Sequence, residues 1–235
     1  MSDITRPELS LREEIAISRE RAKYHRDTDI WPEHDNATFE EYLKRFGAVL
    51  NGIPLLERLK TAPSVTVVDL MSDTKALVSL FKDLPQKDKL GIAVGLKDNR
   101  TDEEKKSDES LGVHVVAGDL TDPATWRNLN HELNGRKATL IVESARAGLG
   151  ALPASGGFYA VMAQRAWNLL SEDGGILLAE LENPLTLSDY GINPRKQAER
   201  LNQNGVPSAV NLGSRGNTLV RLQRNPESPS RLPLT

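Results

Sequence analysis

The chain has 235 residues, about 1.6 times a typical 150-residue domain, so one large domain or one domain with an extension fits its length. Hydrophobic residues are 38%, and the 17 glycines bring the apolar share to about 45%, which excludes a wholly disordered chain. The 30 basic and 33 acidic residues leave a net charge of −3, so nothing global points to nucleic acid.

There is no cysteine, which removes disulfides, thiolate nucleophiles, iron–sulfur clusters and cysteine zinc sites together. No apolar run approaches the roughly 18 residues needed to span a bilayer. The first residues lack the apolar core of a secretory signal. The expectation is a soluble, cytoplasmic protein without a membrane partner.

In chain order, Ser10 to Glu13 has the form of a capping box, and an amphipathic, charge-rich helix is expected to about His25. Thr38 to Glu41 repeats that signature. Phe39, Tyr42, Leu43, Phe46 and Leu50 then fall on one helical face up to Asn51 and Gly52. Pro54 opens a short helix from Leu55 to Lys60. Residues 1–62 therefore read as a helical N-terminal cap.

The pattern changes at Pro63. Ser64 to Asp69 is a β-branched run typical of a buried strand, and a helix through Ala76, Leu77, Leu80 and Phe81 follows. Next come a strand over Leu90–Leu96, a charged stretch over Asp98–Ser110 in which Asp102 to Lys106 reads as a solvated loop, and a strand over Val113–Ala117. Asp122 and Pro123 start a helix to about Leu133. A strand over Ala138–Glu143, a helix from Phe158 to Leu170 and a strand over Ile176–Leu181 complete the alternation.

Pro194 then begins a helix that Gly205 stops. Two strand-like runs, Val206–Leu212 and Asn217–Arg224, are separated by four residues, so they form a hairpin and at least one is antiparallel. Residues 63–224 thus read as one α/β domain, a doubly wound mostly parallel sheet with a terminal antiparallel hairpin. The tail 225–235, with Pro226, Pro229 and Pro233, is expected to be disordered.

In such a sheet the ligand crevice lies beyond the carboxyl ends of the strands. Four segments fall there: Asp69–Thr74, Lys97–Arg100, Gly118–Asp122 and Glu143–Gly148. Their carboxylates suit the hydrogen-bond donors of a nucleoside, its ribose hydroxyls and adenine amino group.

This arrangement resembles the class I S-adenosylmethionine-dependent methyltransferases, a Rossmann-like family, over most of residues 10–224. Val67 to Met71 sits where the family's glycine-rich first motif falls, and Gly118, Asp119 and Leu120 look like the motif that meets the adenine amino group. Leu169 to Ile176, with Gly174 and Gly175, is similar to the stretch before the fifth strand. The resemblance implies S-adenosylmethionine as cofactor, with Asp69, Ser72, Asp73, Asp98, Asp119 and Leu120 as its candidate contacts.

The sequence departs from the family where Met71, Asp73 and Lys75 occupy the usual glycine places, and where Asp98 falls one position beyond the ribose-gripping acid. An inactive methyltransferase-like binding scaffold is therefore the alternative function. A nicotinamide enzyme using Lys97 and Arg100 is a third reading, and no Gly-x-Gly-x-x-Gly follows the first strand to support it.

Each candidate has two roles open to it. Asp69 either orients the first loop or caps the following helix; Asp73 and Ser72 compete for that cap. Asp119 either meets the cofactor or shapes the turn before Pro123. Glu143, at the end of the fourth strand, accepts a proton from a substrate nucleophile or pairs with Arg146. Arg146 holds an anionic acceptor or lies in a solvated loop.

The four histidines show no metal-ligand spacing, so no metal is expected. The methyl acceptor, small molecule or macromolecule, is not specified. Residues 191–235 carry seven basic and two acidic side chains, which permits an RNA contact; the lack of interleaved aromatics disfavours it.

Overall fold

The computed structural model describes residues 11–28, 37–144, 156–181, 194–212 and 218–234. Helices α1 (Leu11–Thr28), α2 (Phe39–Arg45), α3 (Gly47–Leu50) and α4 (Leu55–Thr61) precede the first strand. Thr38 caps α2 through a full capping box: its hydroxyl accepts from the Glu41 amide, and the Glu41 carboxylate accepts from the Thr38 amide at 2.6 Å. The single helix expected from Phe39 to Leu50 is broken at Phe46, whose ψ of 3° leaves the helical range. Phe46 is fully buried and Gly47, a weak helix former, follows it, so packing outweighs propensity there. Asn51, in the left-handed region at φ 47°, ends α3.

Strands β1 (Val65–Leu70), β2 (Lys89–Gly95), β3 (Val113–Ala117), β4 (Leu140–Ser144), β5 (Gly175–Leu181), β6 (Ser208–Leu212) and β7 (Thr218–Arg224) form one sheet in the order β3-β2-β1-β4-β5-β7-β6. The first five are parallel, and β7 runs antiparallel to both β5 and β6. This is the doubly wound α/β sheet with a terminal hairpin that the sequence implies. All six residues of β1 are buried, because helices cover both faces of the sheet.

Alternation along the strands divides the core. Val65, Val67, Ala93, Leu140, Val142, Ile176 and Leu178 face α2–α4 and α5 (Lys75–Asp83). Val68, Leu70, Ile92, Val94, Ile141, Leu177 and Ala179 face α7 (Pro123–Leu133), α8 (Gly156–Leu169) and α9 (Pro194–Gln203). Residues 39–61 thus belong to the same apolar core as the sheet.

Two segments differ from the sequence reading. The charged stretch contains a helix, α6 (Asp102–Ser110). It has no apolar residue; a Thr101–Glu104 capping box and three acidic residues in the first turn, favourably placed on the helix dipole, hold its start. Its buried Asp108 accepts from the Thr74 hydroxyl at 2.7 Å, tying α6 to the start of α5. Second, the tail expected to be disordered is packed: Leu232 and Leu234 join the core, and the Trp167 indole donates to the Pro229 carbonyl at 2.9 Å.

The two glycines before β5 serve the architecture. Gly174 has φ 87°, and a Cβ on Gly175 would lie 2.7–2.9 Å from main-chain atoms of Ser171 and Ala138. Only glycine lets β5 start against the end of α8.

Candidate active site

The chain lays β1, β2 and β3 in one direction, then returns to place β4 on the other side of β1. The crevice of such a sheet opens at this reversal, beyond the carboxyl ends of β1 and β4. There Leu70 of β1 pairs in register with Glu143 of β4, and Glu143 with Ala179 of β5.

Glu143 therefore projects between two buried apolar neighbours, Leu70 and Ala179, and is itself 3% exposed. Its Oε1 has no hydrogen-bond partner among the described residues. Burial alone pushes its carboxyl up to about 8, so the side chain is mostly neutral at pH 7. At the β1/β4 reversal the chain thus holds a buried, mostly neutral carboxyl with one oxygen unpartnered among the described residues. Arg146, the other catalytic candidate, lies outside the described residues.

Asp119 follows β3. Its Oδ1 accepts from the Thr121 amide at 2.7 Å, and its carbonyl accepts from the Thr125 hydroxyl at 2.6 Å. The carboxylate is half-buried, so its second oxygen is able to accept from a ligand. Leu120 beside it is buried, its carbonyl accepting from the Trp126 indole at 2.8 Å, which leaves an apolar wall next to the acid. Arg19 of α1 donates to the Thr121 carbonyl at 3.0 Å, so α1 crosses the chain two residues from Asp119.

The remaining candidates are engaged within the protein. Asp69 is 1% exposed and faces the opposite side of the sheet from Glu143, where the Tyr42 hydroxyl donates to it at 3.2 Å. The Arg45 guanidinium lies 5.4 Å from the Tyr42 ring centre and 3.7 Å from Glu180, so this acidic pair secures α2 over the strand ends. The Asp73 carboxylate accepts from the Lys75 amide at 2.8 Å and starts α5; Ser72 is buried and donates to the Asp73 carbonyl.

Met71 holds φ 66°, a left-handed conformation that glycine adopts without strain. The backbone at the first glycine place keeps glycine geometry although the side chain is methionine.

Asp98 is held by Arg100, whose Nε and Nη2 meet the two carboxylate oxygens at 2.9 and 3.0 Å. The Arg100 Nη1 reaches Asp108 at 3.0 Å. These hydrogen bonds hold the Asp98 carboxyl below the usual carboxylate range, against a smaller opposing effect of burial. Arg100 is thereby engaged by two carboxylates, which argues against its use for a ribose phosphate in the nicotinamide reading.

Arg100→Ala is expected to lower stability at pH 7 by about 1–2 kcal/mol, because two carboxylates then face each other without their cation. Asp98 is depressed in the folded protein, so its contribution is present above the unfolded pKa and lost as pH falls through the folded one. The difference between wild type and variant should therefore shrink below about pH 4 in urea unfolding, and a pH-independent difference would exclude this account.

An adenosyl cofactor thus meets a partly suitable site. Asp119 and Leu120 fit its adenine end, Glu143 lines the crevice, and no free carboxylate answers the ribose diol at Asp98. Arg45, Glu180 and Asp108 were not singled out in the sequence; Tyr42 was read only as part of an apolar helical face and Arg100 only as a phosphate contact. Only Arg100, two residues after Asp98 and suited to an i,i+2 contact, carried a local signal. Among the described residues no group of three or more His, Asp or Glu is able to hold a metal ion, and no helix is long and apolar enough to cross a membrane.

No protein-family model matches the chain, and no curated protein matches it. Solved structures similar to it include a putative O-methyltransferase from Klebsiella pneumoniae, 15% identical over 94% of this chain and 92% of that one, with a TM-score of 0.44. The fibrillarin of Aeropyrum pernix, solved with natively bound S-adenosyl-L-methionine, is 12% identical over 70% of this chain and 68% of that one, with a TM-score of 0.43. A CurJ carbon methyltransferase is 11% identical over 72% of this chain with a TM-score of 0.44, and this chain spans about half of its length (51%). At these identities the likeness is one of general chain arrangement.

Proposed function

We propose that the chain is a divergent S-adenosylmethionine-dependent methyltransferase that works at the β1/β4 reversal. The observation that carries this reading is Glu143, a buried carboxyl with an unspent oxygen at the mouth of the crevice. The parallel strands, the terminal hairpin and the three stretches at Val67–Met71, Gly118–Leu120 and Leu169–Ile176 are consistent with it.

The cofactor, when bound, supplies an electrophilic methyl group on a sulfonium. Asp119 would accept from the adenine amino group, and Leu120 would offer its apolar side to the ring. Glu143, once ionised, takes the proton that the acceptor's nucleophile must lose. With the carboxyl at about 8, roughly a tenth of it is ionised at pH 7, so turnover should rise with pH and level off above 8. A cation bound in the crevice favours the ionised form and moves that limb to lower pH.

Calorimetry with S-adenosylhomocysteine tests the reading directly, and absence of heat at millimolar ligand refutes it. Asp119→Ala should weaken binding about tenfold, the effect of one charge-assisted hydrogen bond. The same variant in a thermal melt separates that loss from any loosening of the Thr121 turn.

A further inference from the structure

Arg221, in the basic C-terminal part of the chain, has no role at the β1/β4 crevice. It lies on the face of β7 that α3 covers. Its Nε donates to the Val49 carbonyl at 2.9 Å and its Nη1 to the Gln223 side-chain oxygen at 3.4 Å. Arg58 of α4 donates through Nη2 to the Gly174 carbonyl at 3.2 Å. A Cβ placed on Gly174 would be 2.9 Å from the Arg58 Nη2 and 3.6 Å from the Gln223 Nε2, so these two side chains meet over this turn; Gln223 links them to Arg221 through its oxygen, and its Nε2 donates one hydrogen to the Asn225 side chain at 3.2 Å.

We propose that Arg58 and Arg221, together with the Gln223 amide, form a binding site for a tetrahedral oxyanion of the phosphate class. Neither arginine makes an ion pair among the described residues, although both are half-buried. Of the two carboxylates on the adjoining turn, Glu172 pairs with Arg224 at 2.7 Å, and Asp173 forms no ion pair among the described residues. By contrast Arg45, Arg100 and Arg224 each face a carboxylate.

Burial and then the charge of Arg58 lower the pKa of Arg221, in keeping with the absence of an ion pair to it among the described residues. Each guanidinium has five N–H donors, and the contacts above use one on Arg58 and two on Arg221. The unspent donors suit phosphate oxygens, which arginine forks bind in pairs. Arg58 and Gln223 meet the amino end of β5, whereas the Arg221 backbone is in register with Leu178, next to the Ala179 partner of Glu143; all three lie on the opposite face of the sheet from Glu143.

Inorganic phosphate is the probe, titrated over a millimolar range against chloride at equal ionic strength. Wild type should show a saturable rise of about 2 °C or more in melting midpoint with phosphate, and none with chloride. Arg58→Gln should weaken phosphate about tenfold or more and remove that increment; Arg58→Lys should retain part of it. Arg221→Gln should do the same as Arg58→Gln, but it also frees the Val49 carbonyl, so Arg58→Gln decides.

If the arginines only cap carbonyls, Arg58→Gln lowers the midpoint equally in both salts and the phosphate increment persists, which overturns the proposal. Equal wild-type midpoints in phosphate and chloride overturn it as well.

Discussion

Glu143→Gln is expected to make the protein more stable at pH 8 and much less active. The folded carboxyl titrates at about 8 against an ordinary value near 4.5 in the unfolded chain. Between those values the unfolded carboxyl has lost its proton while the folded one keeps it. The folded state binds more protons there, so stability is full below 4.5, falls as pH rises to 8 and is level beyond.

The loss is about 1.4 kcal/mol per pH unit, and at most about 5 kcal/mol across the window. Glutamine keeps the shape and the buried oxygen but does not ionise, so the variant should match wild type near pH 4.5 and exceed it by several kcal/mol at pH 8. Urea unfolding at pH 5, 6.5 and 8 gives the comparison; parallel profiles for the two proteins contradict a neutral, buried Glu143. Under the proposed function the same substitution lowers turnover by about 10²–10⁴-fold, the usual contribution of a positioned proton acceptor. A gain in stability with a loss of activity is the pattern of a group kept for chemistry, at the expense of packing.

Removing residues 226–235 is expected to destabilise the protein by about 2–4 kcal/mol. Leu232 and Leu234, each 7% exposed, contribute roughly 1.5–3 kcal/mol apiece by burial, and part is offset by the entropy of ordering the segment. The deletion also takes the Pro229 carbonyl from the Trp167 indole, the largest fully buried side chain, and the Leu232 amide from the Gln164 side chain. Urea unfolding followed by tryptophan fluorescence reads both effects: a lower midpoint, and a red-shifted native spectrum as water reaches the indole. An unchanged midpoint would show that the segment contributes nothing to the fold.

The tail illustrates why part of this structure could not be read in advance. Three prolines in eleven residues carry no periodic signal, and the two leucines gain their meaning only from the groove between α8 and the sheet. The helix α6 is similar. It offers no apolar stripe to detect, and it is stabilised by a cap within it and by Asp108 meeting Thr74 and Arg100, residues 34 and 8 positions away. Conversely β3 and α7 have the bounds the sequence implies, because their signals are local: a β-branched run in one, an Asp122 cap and Pro123 at the first helical position in the other.

The candidate site divides along the same line. That carboxylates stand at the ends of the parallel strands follows from the alternation of strands and helices, and so does the position of Glu143 and Asp119. Which of them a ligand can reach does not. Asp69 and Glu143 end adjacent strands in equivalent fashion, yet β alternation turns them to opposite faces, one under Tyr42 and the other between Leu70 and Ala179. Asp98 is taken by Arg100, whereas Asp119 spends one carboxylate oxygen on the Thr121 amide.

The sequence by itself determined an α/β chain without cysteine, with about one and a half domains' length and a basic C-terminal end, because composition, hydrophobic period and turn residues act locally. Only the tertiary structure decided which carboxyl loses its water and its partners, since desolvation depends on what neighbouring strands and helices place around a group. The same holds for Arg58 and Arg221, which are 163 residues apart in the chain and share a charge environment only because the fold brings α4 and β7 together.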